Sequence, residues 1–102
     1  MPTEARGEVT RLLAEVAAGS EEAKKELFAH VYRELRLMAH GQMAHERRGH
    51  TWGATDLVHE AYMRLVRGKR VCTKDRAYFF SAAARAMHRL LSKHAAKRRR
   101  QL

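Results

Sequence analysis

Five cations near the end of the chain, Arg85, Arg89, Lys93, Lys97 and Arg100, recur at intervals of three and four residues. On a helix that spacing gathers guanidinium and ammonium groups onto one side, the arrangement that binds a row of phosphates. Like charges at i, i+4 repel by a few tenths of a kcal/mol per pair, roughly. Residues 76–102 hold eight basic side chains, adding Arg76, Arg98 and Arg99, and not one of the 11 acids of the chain. An uncompensated row of this kind points to a polyanion partner more than to a solvated face. Five phosphate contacts on duplex DNA would give a log–log salt slope of roughly −4 to −5. At the start of the same segment stand Tyr78, Phe79 and Phe80. Three consecutive positions sweep about 200° of a helix, so one face cannot bury all three. A ring left over can stack on an unpaired base, worth roughly 1–3 kcal/mol.

Other chemistry finds little support. His59-Glu60 begins like a zincin motif, but Met63 stands where the second histidine is required. His40, His45 and His50 are spaced by five, which turns successive members about 140° apart on a helix. No zinc site, and no cofactor, is expected. Cys72 is the single cysteine, so there is no disulfide framework; Arg70 and Lys74 beside it would lower its pKa, but no catalytic base accompanies it. With no glycine-rich phosphate loop and no serine elbow, the chain is not expected to be an enzyme.

The chain of 102 residues, 45% hydrophobic and 31% charged, is long enough for one small domain. Its one proline is Pro2, and six glycines are too few for many tight turns, so an all-α fold is expected. The net charge of +10 sits almost wholly in the last quarter. No stretch approaches the roughly 20 apolar residues of a membrane span, and Met1-Pro2-Thr3-Glu4 lacks the order of a signal peptide, so a cytoplasmic location without membrane contact is expected.

Four amphipathic segments must position these groups. Val9, Leu12, Leu13 and Val16 form one stripe, Gly19 a C-cap and Ser20 an N-cap followed by Glu21 and Glu22. Leu27, Phe28, Val31, Tyr32, Leu35, Met38 and Ala39 predict a helix from about Glu21 to about His45. Residues 49–54 have loop composition, and Thr55 or Asp56 is the expected cap of a third helix carrying Leu57, Val58, Ala61, Tyr62, Leu65 and Val66. Gly68 ends it. After a polar connection over 69–75, Phe79, Phe80, Ala83, Met87, Leu90, Leu91 and His94 line one side of a last helix, with the cationic row opposite. The result is a compact bundle of three or four helices. On the third helix Asp56, His59, Glu60, Met63, Arg64 and Arg67 lie off the apolar stripe; a mixed-charge face is ordinarily solvated, and Met63 within it hints at protein docking.

The string Thr55-Asp56-Leu57-Val58-His59-Glu60-Ala61-Tyr62-Met63-Arg64-Leu65 resembles the Asp-Leu-Val-Gln-Glu-x-Phe-x-Arg signature of extracytoplasmic-function (ECF) sigma factors, in the subgroup with histidine before the glutamate. Glu8–Leu13, Val31–Leu35, Gly49-His50-Thr51 and Phe79–Met87 fit the same subgroup, and the likeness covers about residues 7 to 100. The resemblance implies region 2, the helical domain that docks on the clamp coiled coil of core RNA polymerase and melts the minus-ten promoter element. By position it implies that Asp56, His59, Glu60, Arg64 and Arg67 face the clamp. It implies a connection, Lys69–Asp75 with Lys69, Arg70 and Lys74, that captures a base flipped from the non-template strand. Arg76, Tyr78, Phe79, Phe80, Arg85 and Arg89 would flank the melted strand, and Lys93, Lys97, Arg98, Arg99 and Arg100 would hold upstream phosphates. The family continues into a second helical domain, region 4; residues 1–102 are expected to hold region 2 as a single domain with region 4 absent and a basic end over 93–102 open to fraying, whether as a piece of a longer chain or as a protein of region 2 alone. The usual Trp-Leu-Tyr before the DNA-facing helix is here Tyr78-Phe79-Phe80, and Lys93 stands where the subgroup often has aspartate. An acidic regulator such as an anti-sigma factor is compatible as an additional partner. The alternative that needs no polymerase is a stand-alone basic helical module binding nucleic acid through the row alone.

Overall fold

The computed structural model describes residues 2–44, 53–67 and 75–101, with side chains described over 7–44, 53–67 and 75–95. Four helices follow one another: α1 (Pro2–Ala17), α2 (Glu21–Ala44), α3 (Ala54–Arg67) and α4 (Arg76–Gln101). The fold is an all-α bundle, as the periodicity and the near absence of proline require. Among the described residues no helix is long and apolar enough to cross a membrane.

Helix ends are set by local chemistry. Gly19 adopts φ 101°, a conformation open to glycine without steric cost. There the Gly19 N–H donates to the Val16 carbonyl (3.0 Å) and the Ser20 N–H to the Glu15 carbonyl (3.0 Å), a Schellman termination of α1. Ser20 then turns from terminator to initiator: its Oγ accepts from the Ala23 N–H at 3.0 Å, with Glu21 and Glu22 in the first turn of α2. At α3 the expected cap is corrected. The helix begins at Ala54, with Gly53 as the capping residue, and Asp56 lies inside the first turn. Its Oδ2 accepts from the Gly53 N–H at 3.3 Å, one arm of a capping box. Asp75 caps α4 directly, Oδ1 accepting from the Tyr78 N–H at 2.8 Å. At 1.5 Å per residue α4 spans about 39 Å, most of the 46 Å long axis of the molecule, and it continues through the basic end to Gln101.

The apolar stripes meet in one core. Leu12 and Leu13 of α1, Leu27, Val31 and Leu35 of α2, Leu57 and Val58 of α3, and Phe79 and Met87 of α4 are all buried. Apart from the phenol of Tyr62, no side chain with a polar or charged group is buried among the described residues, so the bundle is held by packing, with polar tethers at its margins. A line of rings crosses it: Phe28 packs on Tyr62 (4.8 Å between centroids), Tyr62 on Phe79 (6.5 Å) and Phe79 edge-on against Phe80 (5.4 Å).

Tyr62 has the one polar tip in this line, and its hydroxyl donates to the Lys24 carbonyl, tying α3 to the start of α2. Burial pushes its phenol pKa up, against a smaller opposing pull from the Phe28 backbone. A folded-state pKa above the unfolded value of about 10 contributes stability that is complete below that pH. That contribution is lost as pH rises through the folded value. Tyr62→Phe is therefore expected to cost about 1 kcal/mol near neutrality, and to flatten the alkaline loss. Urea unfolding of both proteins at about pH 8 and about pH 11 checks this; equal alkaline losses would overturn it.

Candidate polymerase and nucleic-acid surfaces

Helix α3 buries Leu57, Val58, Ala61, Tyr62 and Val66 and leaves Asp56, His59, Glu60, Met63, Arg64 and Arg67 exposed. Asp56, Glu60, Met63 and Arg67 stand at i, i+4, i+7 and i+11, so they form one longitudinal stripe with an acidic head, an apolar centre and a basic end. That spacing is the one helices use to seat against other helices. Glu60, Met63, Arg64 and Arg67 line a shallow depression of about 300 Å³. His59 is turned off the stripe: its ring lies 5.0 Å from that of Phe28 on α2. It borders a second groove, of about 350 Å³, between α2 and α3 that Phe28, Tyr62 and Met63 line and Lys24 and Lys25 rim. The six residues assigned to a docking face are thus brought together, with His59 at its edge.

Helix α4 sorts its aromatic triplet sharply. Tyr78 is 45% exposed, Phe80 is half-buried and Phe79 is wholly buried. Phe79 is therefore corrected from a strand-flanking residue to a core residue: it packs against Tyr62 and has no surface to offer a base. Phe80 is covered in part by the Arg76 guanidinium, 4.8 Å from its centroid. Arg76 in turn is ion-paired with Glu34 of α2, so it is engaged within the bundle.

Arg85, Arg89 and Lys93 are exposed, and none of them is ion-paired with a described carboxylate. A four-residue step on an ideal helix overshoots one turn by about 40°, so the row slants around α4 instead of running straight along it. Tyr78, Arg85 and Arg89 lie within about 40° of one another on this count, which puts the exposed ring and the first two cations on one face. Lys97, Arg98, Arg99 and Arg100 belong to the helical backbone of α4, but their side chains lie outside those described. Lys69, Arg70, Cys72 and Lys74, with His45 and His50, lie outside the described residues. Among the described residues no three His, Cys, Asp or Glu side chains gather as metal ligands would.

One surface escaped the sequence pattern. Leu37 on α2 is 72% exposed, and with Tyr32, Arg33, Arg36 and His40 it lines a depression of about 330 Å³. Arg36 Nη1 donates to the Tyr32 hydroxyl (3.0 Å) and to Thr55 Oγ1 (3.4 Å), joining this patch to the start of α3. Thr55 and, secondarily, Arg36 hold the Tyr32 phenol below its ordinary pKa. The available signal was Leu37 itself, a large apolar residue out of phase with the stripe of its own helix.

A family model described as ECF sigma factor matches residues 6–102. The chain belongs to the ECF sigma factor family. No match was found among curated proteins or among solved structures. Members of this family act in transcription initiation, with RNA polymerase and promoter DNA, and the family is regulatory and not catalytic. The exposed faces of α3 and α4 are therefore the surfaces to consider for those two partners.

The slanting row makes a quantitative claim. Each phosphate contact contributes roughly 0.7 to the log–log salt slope on a single strand and about 0.9 on duplex DNA. Replacing Arg85, Arg89 and Lys93 together with glutamine is expected to shallow the slope by about 2 on single strands. Fluorescence anisotropy across a salt series checks this; an unchanged slope would remove the row from the interface.

Proposed function

We propose that this chain is region 2 of an ECF sigma factor, gripping the clamp coiled coil of core RNA polymerase with α3 and holding the melted non-template strand of the minus-ten element along α4. The observation that carries this reading is the presence of two chemically different exposed faces on adjacent helices. One is the mixed-charge stripe Asp56–Glu60–Met63–Arg67, flanked by His59 and Arg64; the other is Tyr78 in line with Arg85 and Arg89.

A stripe at helix-packing spacing suits a partner that is itself helical, and its graded charge gives that partner a direction. Taking one base from a duplex costs a few kcal/mol. Stacking that base on a ring returns roughly 1–3 kcal/mol. Tyr78 therefore cannot sustain opening alone. The rest falls to phosphate contacts along Arg85, Arg89, Lys93 and the basic end to Arg100, to base capture in the connection that carries Lys69, Arg70 and Lys74, and to polymerase. Opening needs preference for single strand over duplex and no covalent step by this chain. Such a factor works in the cytoplasm, where an acidic anti-sigma regulator could cover either face.

Two measurements test the proposal. In a pull-down on isolated clamp helices the wild type is expected to be retained and Glu60→Lys lost; failure of the wild type to bind removes polymerase docking. With short oligonucleotides, Tyr78→Ala is expected to weaken single-strand binding by about 1–3 kcal/mol and to leave duplex binding nearly unchanged. Equal wild-type affinity for single strands and duplexes of every sequence would instead favour a stand-alone basic module.

A further inference from the structure

On the assignment of α4 to the melted strand, we infer that Glu34 and Arg76 form a positioning pair that sets the first turn of α4 for strand capture, and that Arg76 does not itself contact DNA. Arg76 occupies the first helical position of α4, where the helix dipole is positive and a cation is disfavoured. No acid lies in residues 76–102 to compensate it. Asp75, the helix cap, gives its Oδ1 to the Tyr78 N–H, and it is Glu34, 42 positions earlier and on α2, that pairs with the guanidinium through its Oε1. The guanidinium is held on a second side by the Phe80 ring, 4.8 Å away, and Phe80 leans edge-on against the buried Phe79. The head group is thus clamped between a carboxylate and a ring that is anchored to the core.

Geometry separates Arg76 from the strand-facing side. Two residues turn a helix by about 200°, so Arg76 and Tyr78 point to nearly opposite sides of α4. With Arg76 fixed toward α2, Tyr78 is fixed away from it, into line with Arg85 and Arg89. Two turns further on, Gln42 Nε2 donates to the Ala84 carbonyl at 2.9 Å, a second tether from α2. Held at two points, α4 keeps both its rotation and its axial register against a partner that pulls on its outer face.

The test is a double-mutant cycle in the full chain, read by anisotropy on a short fluorescein-labelled single strand of randomised sequence and on its duplex. Glu34→Gln and Arg76→Gln are each expected to weaken single-strand binding by about three- to tenfold, as coupled neighbours do. The double variant should be no weaker than either, and duplex affinity, which depends on the cationic row, should hold. Glu34→Asp, which keeps the charge, should recover most of the loss. The pair is solvent-exposed, so thermal unfolding should barely move. If Arg76 instead holds a phosphate, removing Glu34 frees it and binding tightens. Tighter or unchanged binding by Glu34→Gln, or additive losses in the double variant, overturns the pair while leaving the function above intact. A wild type that does not prefer single strands overturns that function and this inference with it.

Discussion

The insertion of Phe79 into the seam between α3 and α4 is the contact on which the rest of the arrangement depends. A helix presents its residues at fixed angles, so burying one side chain completely dictates where its neighbours point. With Phe79 against Tyr62, Tyr78 is turned to solvent, Phe80 to the margin where Arg76 covers it, and Arg85 and Arg89 to the outer side. Rotating α4 by one residue would expose Phe79 and bury Tyr78, giving up the largest fully buried side chain among the described residues and burying a phenol hydroxyl in its place. A single packing decision thus assigns a role to each member of an aromatic triplet.

The same seam permits α4 to be basic. Repulsion within the cationic row costs a few tenths of a kcal/mol per pair, roughly. Burying a Phe, Met or Leu side chain contributes about 1.5–3 kcal/mol, and Phe79, Met87, Leu90 and Leu91 do so on the side of the helix turned away from Arg85 and Arg89. The apolar term exceeds the repulsion several times over, so the row can be left without acids and remain available to a polyanion. What packing does not resolve is the unfavourable cation at the helix start, and there Glu34 and Asp75 bring negative charge to the first turn.

How much of this was legible in the sequence follows the range of the interactions. The Gly19-Ser20 junction uses bonds that reach five residues at most, and type and order alone announced it. The four apolar stripes were legible because burial on a helix repeats with its turn. The start of α3 is ambiguous in the sequence because an aspartate can serve as the capping residue or reach back from three positions inside, and Asp56 takes the inner role. Tyr78, Phe79 and Phe80 gave no means of choosing which ring stays outside, since that depends on Tyr62 across the seam. The Glu34–Arg76 pair and the tilted contact of His59 with Phe28 join residues of different helices, and no local pattern encodes them. Leu37 is hidden for the opposite reason: an apolar residue out of phase with its stripe carries no signal of its own until its exposure is known.

Because α3 and α4 both turn their apolar sides to a shared core, their outer faces diverge. The stripe Asp56–Arg67 and the face Tyr78–Lys93 share no residue and differ in charge pattern. The bundle between them transmits position: Tyr62 links the two helices through Phe79, and α2 tethers α4 at Arg76 and at Ala84. A strand held on α4 is thereby placed at a fixed offset from whatever holds α3. That offset is set by packing within the bundle and needs no contact between the two outer faces.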